Sequence, residues 1–288
     1  MKYKWILLIL ASFFLFLHAC DEIEKPYARE NGGGDDNSNG GGDDDGKIVR
    51  KVFLEDFTGH RCVNCPKAHK IVDELKDEYG DSIITIAIHA GTYATPESEG
   101  HFTADYRSQV GGELQSAFGV QFFPAGLINR QDEGTLFNST AWKSEILSQI
   151  GQEAIVAIDI MPEFDDGDGT LDTDVTVSFT EGYDGAVNLC VFITENGLIS
   201  PQENNVDDVG PTPTIEDYEH NHVLRASING TWGEPVTSEG VMADMLYEHT
   251  FSDYQISEDW NPGNLDLVAF VYDQTTMEVL QVEKAAVK

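Results

Sequence analysis

The chain has 288 residues, of which 51 are acidic and 17 are basic, so its formal net charge at pH 7 is −34. A chain this acidic repels nucleic acid and anionic lipid headgroups, which excludes both as direct partners. The residues that follow the N-terminal segments are enough for one or two domains, at about 100 to 200 residues each.

The N-terminus predicts export. Lys2 and Lys4 precede an apolar run from Trp5 to Leu17 that is too short to span a bilayer, so residues 1–19 are interpreted as a signal peptide. Ala19-Cys20 resembles a bacterial lipobox, which implies cleavage before Cys20, acylation of this cysteine and a membrane anchor. A plain secretory signal with an incidental cysteine is the alternative.

Residues 20–46 are rich in Asp, Gly and Asn and contain too few apolar residues to form a core. We expect a lipidated cysteine followed by a disordered acidic linker that acts as a stalk. Calcium binding by the acidic tract is the alternative, although no fixed set of ligands is visible.

Residues 47–151 alternate between strand and helix patterns, which predicts an α/β layer fold. The predicted strands are 49–57, 83–89 and 125–129, and the predicted helices are 65–79, one within 102–118, and 142–150. The helix from Cys65 carries apolar residues at helical spacing, and Pro66 suits its first turn because proline needs no N–H partner there.

Cys62-Val63-Asn64-Cys65 lies between the first strand and this helix. Backbone N–H groups and the positive helix end stabilise a thiolate there, so Cys62 is a candidate nucleophile and Cys65 a candidate resolving thiol. Arg61 and His60 would favour the thiolate further. Cys190 lies between apolar neighbours in a strand pattern and is interpreted as a buried small residue.

These motifs resemble the thioredoxin-like family. The segment from Phe118 to Leu127 resembles the cis-proline segment of that family. By this resemblance the Phe123–Pro124 bond is cis, Pro124 lies against the CxxC, and the backbone beside it pairs with a substrate. The resemblance also implies that Asp56, six residues before Cys62, is a buried acid that takes the proton from Cys65. An ordinary solvated Asp56 is the alternative, and Arg61 and Val63-Asn64 depart from the family pattern.

Two other interpretations use the same cysteines. His60, Cys62, Cys65 and His69 supply two nitrogens and two sulfurs of the kind that hold zinc, and a purely structural disulfide is the other alternative. Haem attachment is excluded because Pro66 occupies the histidine position of the CxxCH motif. The redox interpretation requires no metal or cofactor.

Residues 152–288 contain repeated strand patterns, which predict an all-β immunoglobulin-like sandwich as a second domain. The predicted strands are 155–160, 171–179, 187–194, 223–228, 247–254, 267–272 and 279–287. Asp165 to Gly169 is expected to form a hairpin turn, and the polar segment 196–213 a binding loop or flap. His220 and His222 alternate before a strand, a pattern that also occurs in metal sites.

The chain after the linker resembles Bacteroidetes lipoproteins related to a 28-kilodalton outer-membrane protein. The resemblance is carried by Phe57-Thr58-Gly59-His60-Arg61-Cys62-Val63-Asn64-Cys65-Pro66, by His220-Asn221-His222-Val223-Leu224-Arg225-Ala226 and by Trp232-Gly233-Glu234. It implies an outer-membrane lipoprotein that faces the periplasm or the cell surface.

The sequence therefore supports two hypotheses of function. In the first, Cys62, Cys65, Asp56 and Pro124 form a thiol–disulfide exchange site that acts on thiols or disulfides of envelope or extracellular proteins. In the second, the protein is a surface binding or adhesion lipoprotein, and its thioredoxin-like domain is a scaffold with a structural disulfide.

Overall fold

The structure is a computed structural model that describes residues 47–237 and 240–288. The expected signal peptide, the lipidated Cys20 and the linker to residue 46 lie outside the described residues. No helix within the described ranges is long and apolar enough to span a membrane.

The first half follows the predicted alternation of strands and helices. Its elements are β1 (Ile48–Val49), β2 (Val52–Thr58), α1 (Cys65–Tyr79), β3 (Ile83–His89), α2 (Gln109–Ala117), β4 (Ala125–Ile128), β5 (Leu136–Asn138), α3 (Ser139–Gln149) and β6 (Glu153–Ala154). The predicted bounds of α1 and β3 are confirmed.

The second half is built from strands. They are β7 (Val156–Asp165), β8 (Thr170–Phe179), β9 (Val187–Glu195), β10 (Leu198–Glu203), β11 (Thr214–His220), β12 (Val223–Ser227), β13 (Glu234–Thr237), β14 (Met245–Gln255), β15 (Leu265–Asp273) and β16 (Val279–Ala286). The hairpin expected at Asp165 to Gly169 is confirmed between β7 and β8. Part of the expected loop 196–213 is instead strand β10, which pairs with β11.

One large sheet contains strands from both halves, in the order β16-β15-β9-β12-β3-β2-β4-β5, with β13 added on β9. The halves meet where β12 runs parallel to β3, with Val223 beside Ala87. Described residues on both sides of the expected boundary between residues 151 and 152 belong to one compact unit. Strands β7, β8 and β14 form a separate antiparallel sheet.

Burial explains why the halves join. One face of the large sheet carries a single core that includes Phe53 of β2, Cys190 of β9 and Phe270 of β15. On the opposite face, α1 and α3 cover β2 and β3, and the three-stranded sheet covers β9 and β15. Strands β9 and β15 are therefore buried on both faces, as strands in the middle of a layered structure are. The thioredoxin-like and immunoglobulin-like assignments stay predictions.

Candidate functional site

Cys62 and Cys65 form a disulfide between the end of β2 and the start of α1. Cys65 is the first residue of the helix, and its N–H donates to the Cys62 carbonyl at 3.1 Å. The pair therefore lies at the positive end of the helix dipole, where a thiolate is stabilised. Cys62 is only 3% exposed and Cys65 is fully buried.

Residues 202–205, the clamp segment, bind the backbone of the CxxC loop from the second half of the chain. The Gln202 side-chain amide donates to the carbonyls of Cys62 at 3.1 Å and Gly59 at 3.3 Å. Two backbone bonds extend this contact, from the Glu203 N–H to the His60 carbonyl at 2.8 Å and from the Asn205 N–H to the Val63 carbonyl at 3.2 Å. The clamp segment thus holds the loop that carries the nucleophile candidate.

Asp56 is buried beneath the helix that carries the disulfide. Alternation along β2 turns its side chain toward α1, and it is 1% exposed. Its Oδ2 lies 3.1 Å from Nε2 of His69, while its Oδ1 is buried without a hydrogen-bond partner. His69 is four residues after Cys65 and therefore on the same side of α1. An unsatisfied buried carboxylate oxygen is costly, which makes this acid a functional candidate.

A cavity of about 50 Å³ lies beside Asp56 and His69, between α1 and the end of β11. It is lined by Asp56, His69, Val72, Asp73, Thr85, Ala87, His89, Tyr218, Glu219, His220, Asn221 and His222. Burial lowers the pKa of His220 to about 3, and burial also lowers the pKa of His89 well below its usual range. These two imidazoles are therefore neutral at physiological pH.

The zinc alternative is not supported by the geometry. Both sulfurs are joined in the disulfide, His69 pairs with Asp56, and the His60 ring stacks on Phe102 with centroids 5.6 Å apart. Among the described residues, no group of three or more His, Cys, Asp or Glu side chains could hold a metal ion. His220 and His222 do not alternate on one strand, because β11 ends at His220 and His222 has a φ of 58° in the following turn.

Pro124 lies at the start of β4, beside the end of β2, where Ala125 pairs with Phe57. The predicted cis bond between Phe123 and Pro124 is confirmed. Near this segment, Tyr93 is 46% exposed and its ring packs on Phe123 at 5.6 Å, and Phe122 is 43% exposed. The Tyr93 carbonyl also accepts the N–H of Arg61 at 3.0 Å, which connects this aromatic surface to the CxxC loop.

Cys190 is buried and free, as predicted. Burial raises the pKa of its thiol to about 12, so it is a poor nucleophile at neutral pH.

Sequence reasoning missed two contacts of the site. Gln202 lies in the segment 196–213 that the sequence predicts to be a loop, and Tyr218 is not among the residues that the sequence predicts for the site. Tyr218 places its hydroxyl 2.6 Å from Nδ1 of His69. The expected binding loop 196–213 is the sequence signal nearest to Tyr218, and it does not reveal a contact across 149 positions.

The comparisons with known proteins concern mainly the second half. The family described as outer membrane protein Omp28 matches residues 112–288. No curated protein matches the chain. A solved protein from Agrobacterium tumefaciens is 12% identical with a TM-score of 0.49, over 84% of this chain and 96% of its own. A domain of the outer membrane lipoprotein Omp28 from Porphyromonas gingivalis is 25% identical with a TM-score of 0.31, over 47% of this chain and 89% of its own.

Proposed function

The chain belongs to the outer membrane protein Omp28 family. We propose that, at the outer membrane, it exchanges thiols and disulfides with other proteins of the cell envelope. Acylation of Cys20 would tether the exchange site to the membrane. The observation that carries the proposal is the Cys62–Cys65 disulfide at the start of α1, above the buried Asp56.

The reaction is a reversible two-electron exchange. In the reduced protein, the Cys62 thiolate attacks a substrate disulfide, forms a mixed disulfide and releases one substrate thiolate. Cys65 then loses its proton to Asp56, and its thiolate attacks the Cys62 sulfur, which releases the second substrate thiolate. The protein is oxidised and the substrate disulfide is reduced to two thiols, which take up two protons. The reverse sequence oxidises a substrate.

The surroundings of the disulfide suit a protein substrate. Arg61 lies directly before Cys62, and its guanidinium donates to the Thr92 carbonyl at 2.7 Å and lies 3.7 Å from a carboxylate oxygen of Glu97, which holds the guanidinium beside the loop. The exposed rings of Tyr93 and Phe122 offer apolar contact area next to this charge. The cis-Pro124 segment adds the backbone on which, by the thioredoxin-like resemblance, a substrate would pair.

A direct test compares exchange by the parent with exchange by two single variants of the mature chain. Cys62→Ser removes the proposed nucleophile. With this variant, the rate at which a model protein disulfide is reduced should fall to the rate that the thiol donor gives without the protein. Cys190→Ala removes the buried free thiol and should retain the parent's rate. Equal rates for the parent and Cys62→Ser would refute the exchange function.

One observation favours a second candidate, a surface binding protein whose disulfide is structural. The disulfide is buried under the clamp segment, and a sulfur that cannot be reached cannot be attacked. The reduction potential separates the candidates. A value above about −270 mV is within the range of exchange catalysts, and a value below about −300 mV is typical of structural disulfides.

A further inference from the structure

His69 connects Asp56 to a tyrosine from the second half of the chain. Its Nε2 lies 3.1 Å from Asp56 Oδ2 and 3.2 Å from Thr58 Oγ1, and its Nδ1 lies 2.6 Å from the Tyr218 hydroxyl. Three of the four groups come from β2 and α1, and Tyr218 comes from β11. Both ring nitrogens of His69 therefore have a fixed partner.

The ionisation of Tyr218 limits where the protons of these contacts can be. Burial raises the pKa of Tyr218, and the nearby carboxylates of Asp73 and Asp56 raise it further, so the phenol keeps its proton. The phenol oxygen can donate to Nδ1 or accept from it. When the phenol donates its proton, Nδ1 is the acceptor nitrogen of the ring. In that arrangement the ring proton is on Nε2 and is donated to Asp56 Oδ2, which lies 3.1 Å away.

This donation fixes the orientation of the Asp56 carboxylate. With Oδ2 occupied by His69, the buried and unpartnered Oδ1 is the oxygen that is free to accept a proton. His69 and Cys65 are one helical turn apart on α1, so the carboxylate that His69 holds lies beneath the turn that begins with Cys65.

We propose that Tyr218 and His69 are positioning residues of the exchange site, which hold Asp56 so that its Oδ1 takes the proton of Cys65. This inference rests on the proposed exchange function. In the step, the S–H bond of Cys65 breaks, an O–H bond forms on Asp56, and no electrons are transferred. The proton returns to solvent or to a departing thiolate when the new disulfide has formed.

Other titratable groups surround His69, and their ionisation also contributes to the pH dependence of the exchange rate. Asp73 and Lys76 lie on the same helix, His89 lies on β3, and Glu219 and His220 lie on β11. His222 follows them, with its Nε2 2.7 Å from the Lys76 ammonium. Among the described residues, the Tyr218 hydroxyl is hydrogen-bonded to His69 and to none of these groups.

Tyr218→Phe tests the proposal because it keeps the ring and removes the donor. Tyr106→Phe is the matched control, since Tyr106 packs on the rings of His89 and His220 but its hydroxyl is not a partner of His69. Nitrogen NMR of the full mature chain reports which ring nitrogen of His69 carries the proton. Exchange with a model disulfide, followed from pH 6 to pH 9, reports the proton transfer.

The parent and Tyr106→Phe should carry the His69 proton on Nε2. Tyr218→Phe should shift part of the population to the other tautomer and lower the exchange rate at pH 7 by about three- to tenfold, the worth of one hydrogen bond. The difference in exchange rate between Tyr218→Phe and the parent should shrink toward pH 9, because a larger fraction of an ordinary thiol is ionised there without the help of a base.

A proton on Nδ1 of the parent at pH 7, alone or together with one on Nε2, would overturn the proposal. An unchanged tautomer and an unchanged pH profile in Tyr218→Phe would do the same while leaving the exchange function intact. Absence of exchange in the parent, measured against Cys62→Ser, is the separate result that removes the exchange function itself.

Discussion

Arg130 and Glu55 form a two-point ion pair inside the protein, with Nε 2.7 Å from Oε2 and one terminal nitrogen 2.7 Å from Oε1. Both side chains are fully buried. The guanidinium also lies over the rings of Phe270 at 4.9 Å and Tyr272 at 5.4 Å, which belong to strand β15. The pair therefore ties the strand that leads to the CxxC loop to the second half of the chain.

Glu55→Gln should lower the free energy of unfolding by about 3 to 5 kcal/mol, because it leaves a buried guanidinium without its counter-charge. Arg130→Met should cost a similar amount for the complementary reason. The double variant Glu55→Gln/Arg130→Met should recover part of the loss, since no uncompensated charge remains. Urea denaturation of all four chains measures these values, and a cost below about 1 kcal/mol for both single variants would contradict the prediction.

The free energy of unfolding should fall as the pH is lowered from about 6.5 toward 3. His220 has a folded-state pKa of about 3, because burial disfavours its charged form, whereas an unfolded histidine titrates near 6.5. Between these values the unfolded chain binds the proton and the folded chain does not, so acid favours unfolding. His89 adds to the effect in the same direction.

His220→Gln should reduce this dependence by about 1.4 kcal/mol per pH unit, the slope contributed by one proton. Glutamine retains a polar group that can reach the Ser200 hydroxyl, which lies 3.0 Å from His220 Nε2. His101→Gln, at an imidazole that is 66% exposed, is the control. Denaturation at a series of pH values gives the slopes, and equal slopes for His220→Gln and the parent would show that His220 is not the titrating group.

Gln202→Ala should make the disulfide more accessible to small thiols. The amide of Gln202 donates to the carbonyls of Gly59, Cys62 and Glu203, and its loss frees the clamp segment from the loop. We expect reduction by dithiothreitol to accelerate about fivefold, as for the loss of one or two hydrogen bonds. Gln109→Ala, at the exposed start of α2, should react at the parent's rate. Reduction of Gln202→Ala at that same rate would show that the clamp segment does not limit access.

Gly59→Ala should destabilise the loop before Cys62. A Cβ at this position would lie 2.5 Å from the Tyr93 carbonyl carbon and 2.7 Å from the Ala94 nitrogen, so backbone must move. The expected cost is about 2 kcal/mol. Gly112→Ala has open space and lies inside α2, where alanine should add about 0.5 to 1 kcal/mol of stability. Thermal unfolding of both variants measures their stability relative to the parent. A Gly59→Ala variant as stable as the parent would show that the loop can shift without cost.

Local features of this chain could be predicted from its sequence. The start of α1 at Cys65, the cis bond before Pro124 and the burial of Cys190 each depend on a few adjacent residues or on a motif. The continuous sheet could not be predicted in this way. Strands β9 and β15 have uninterrupted apolar runs, which indicate burial on both faces but do not identify the strands beside them.

The contacts that complete the candidate site are the least predictable part. Tyr218 and His69 are 149 positions apart, and Gln202 and Cys62 are 140 positions apart. Neither pair has a sequence pattern that depends on its partner. They meet because β12 joins β3, which brings the preceding hairpin β10–β11 over α1 and the CxxC loop.

The parallel pairing of β12 with β3 also sets the order in which the protein can be completed during synthesis. Strand β3 pairs with β2 early but gains its second neighbour only after residue 223 has emerged, and β9 gains β15 later still. Contacts this distant in sequence form slowly. Until they form, the edge of β3 that later pairs with β12 is unpaired, and an unpaired strand edge is prone to aggregation. Cys62 and Cys65, three positions apart, need no such delay. Their bond can therefore form before the residues that later cover it are folded into place.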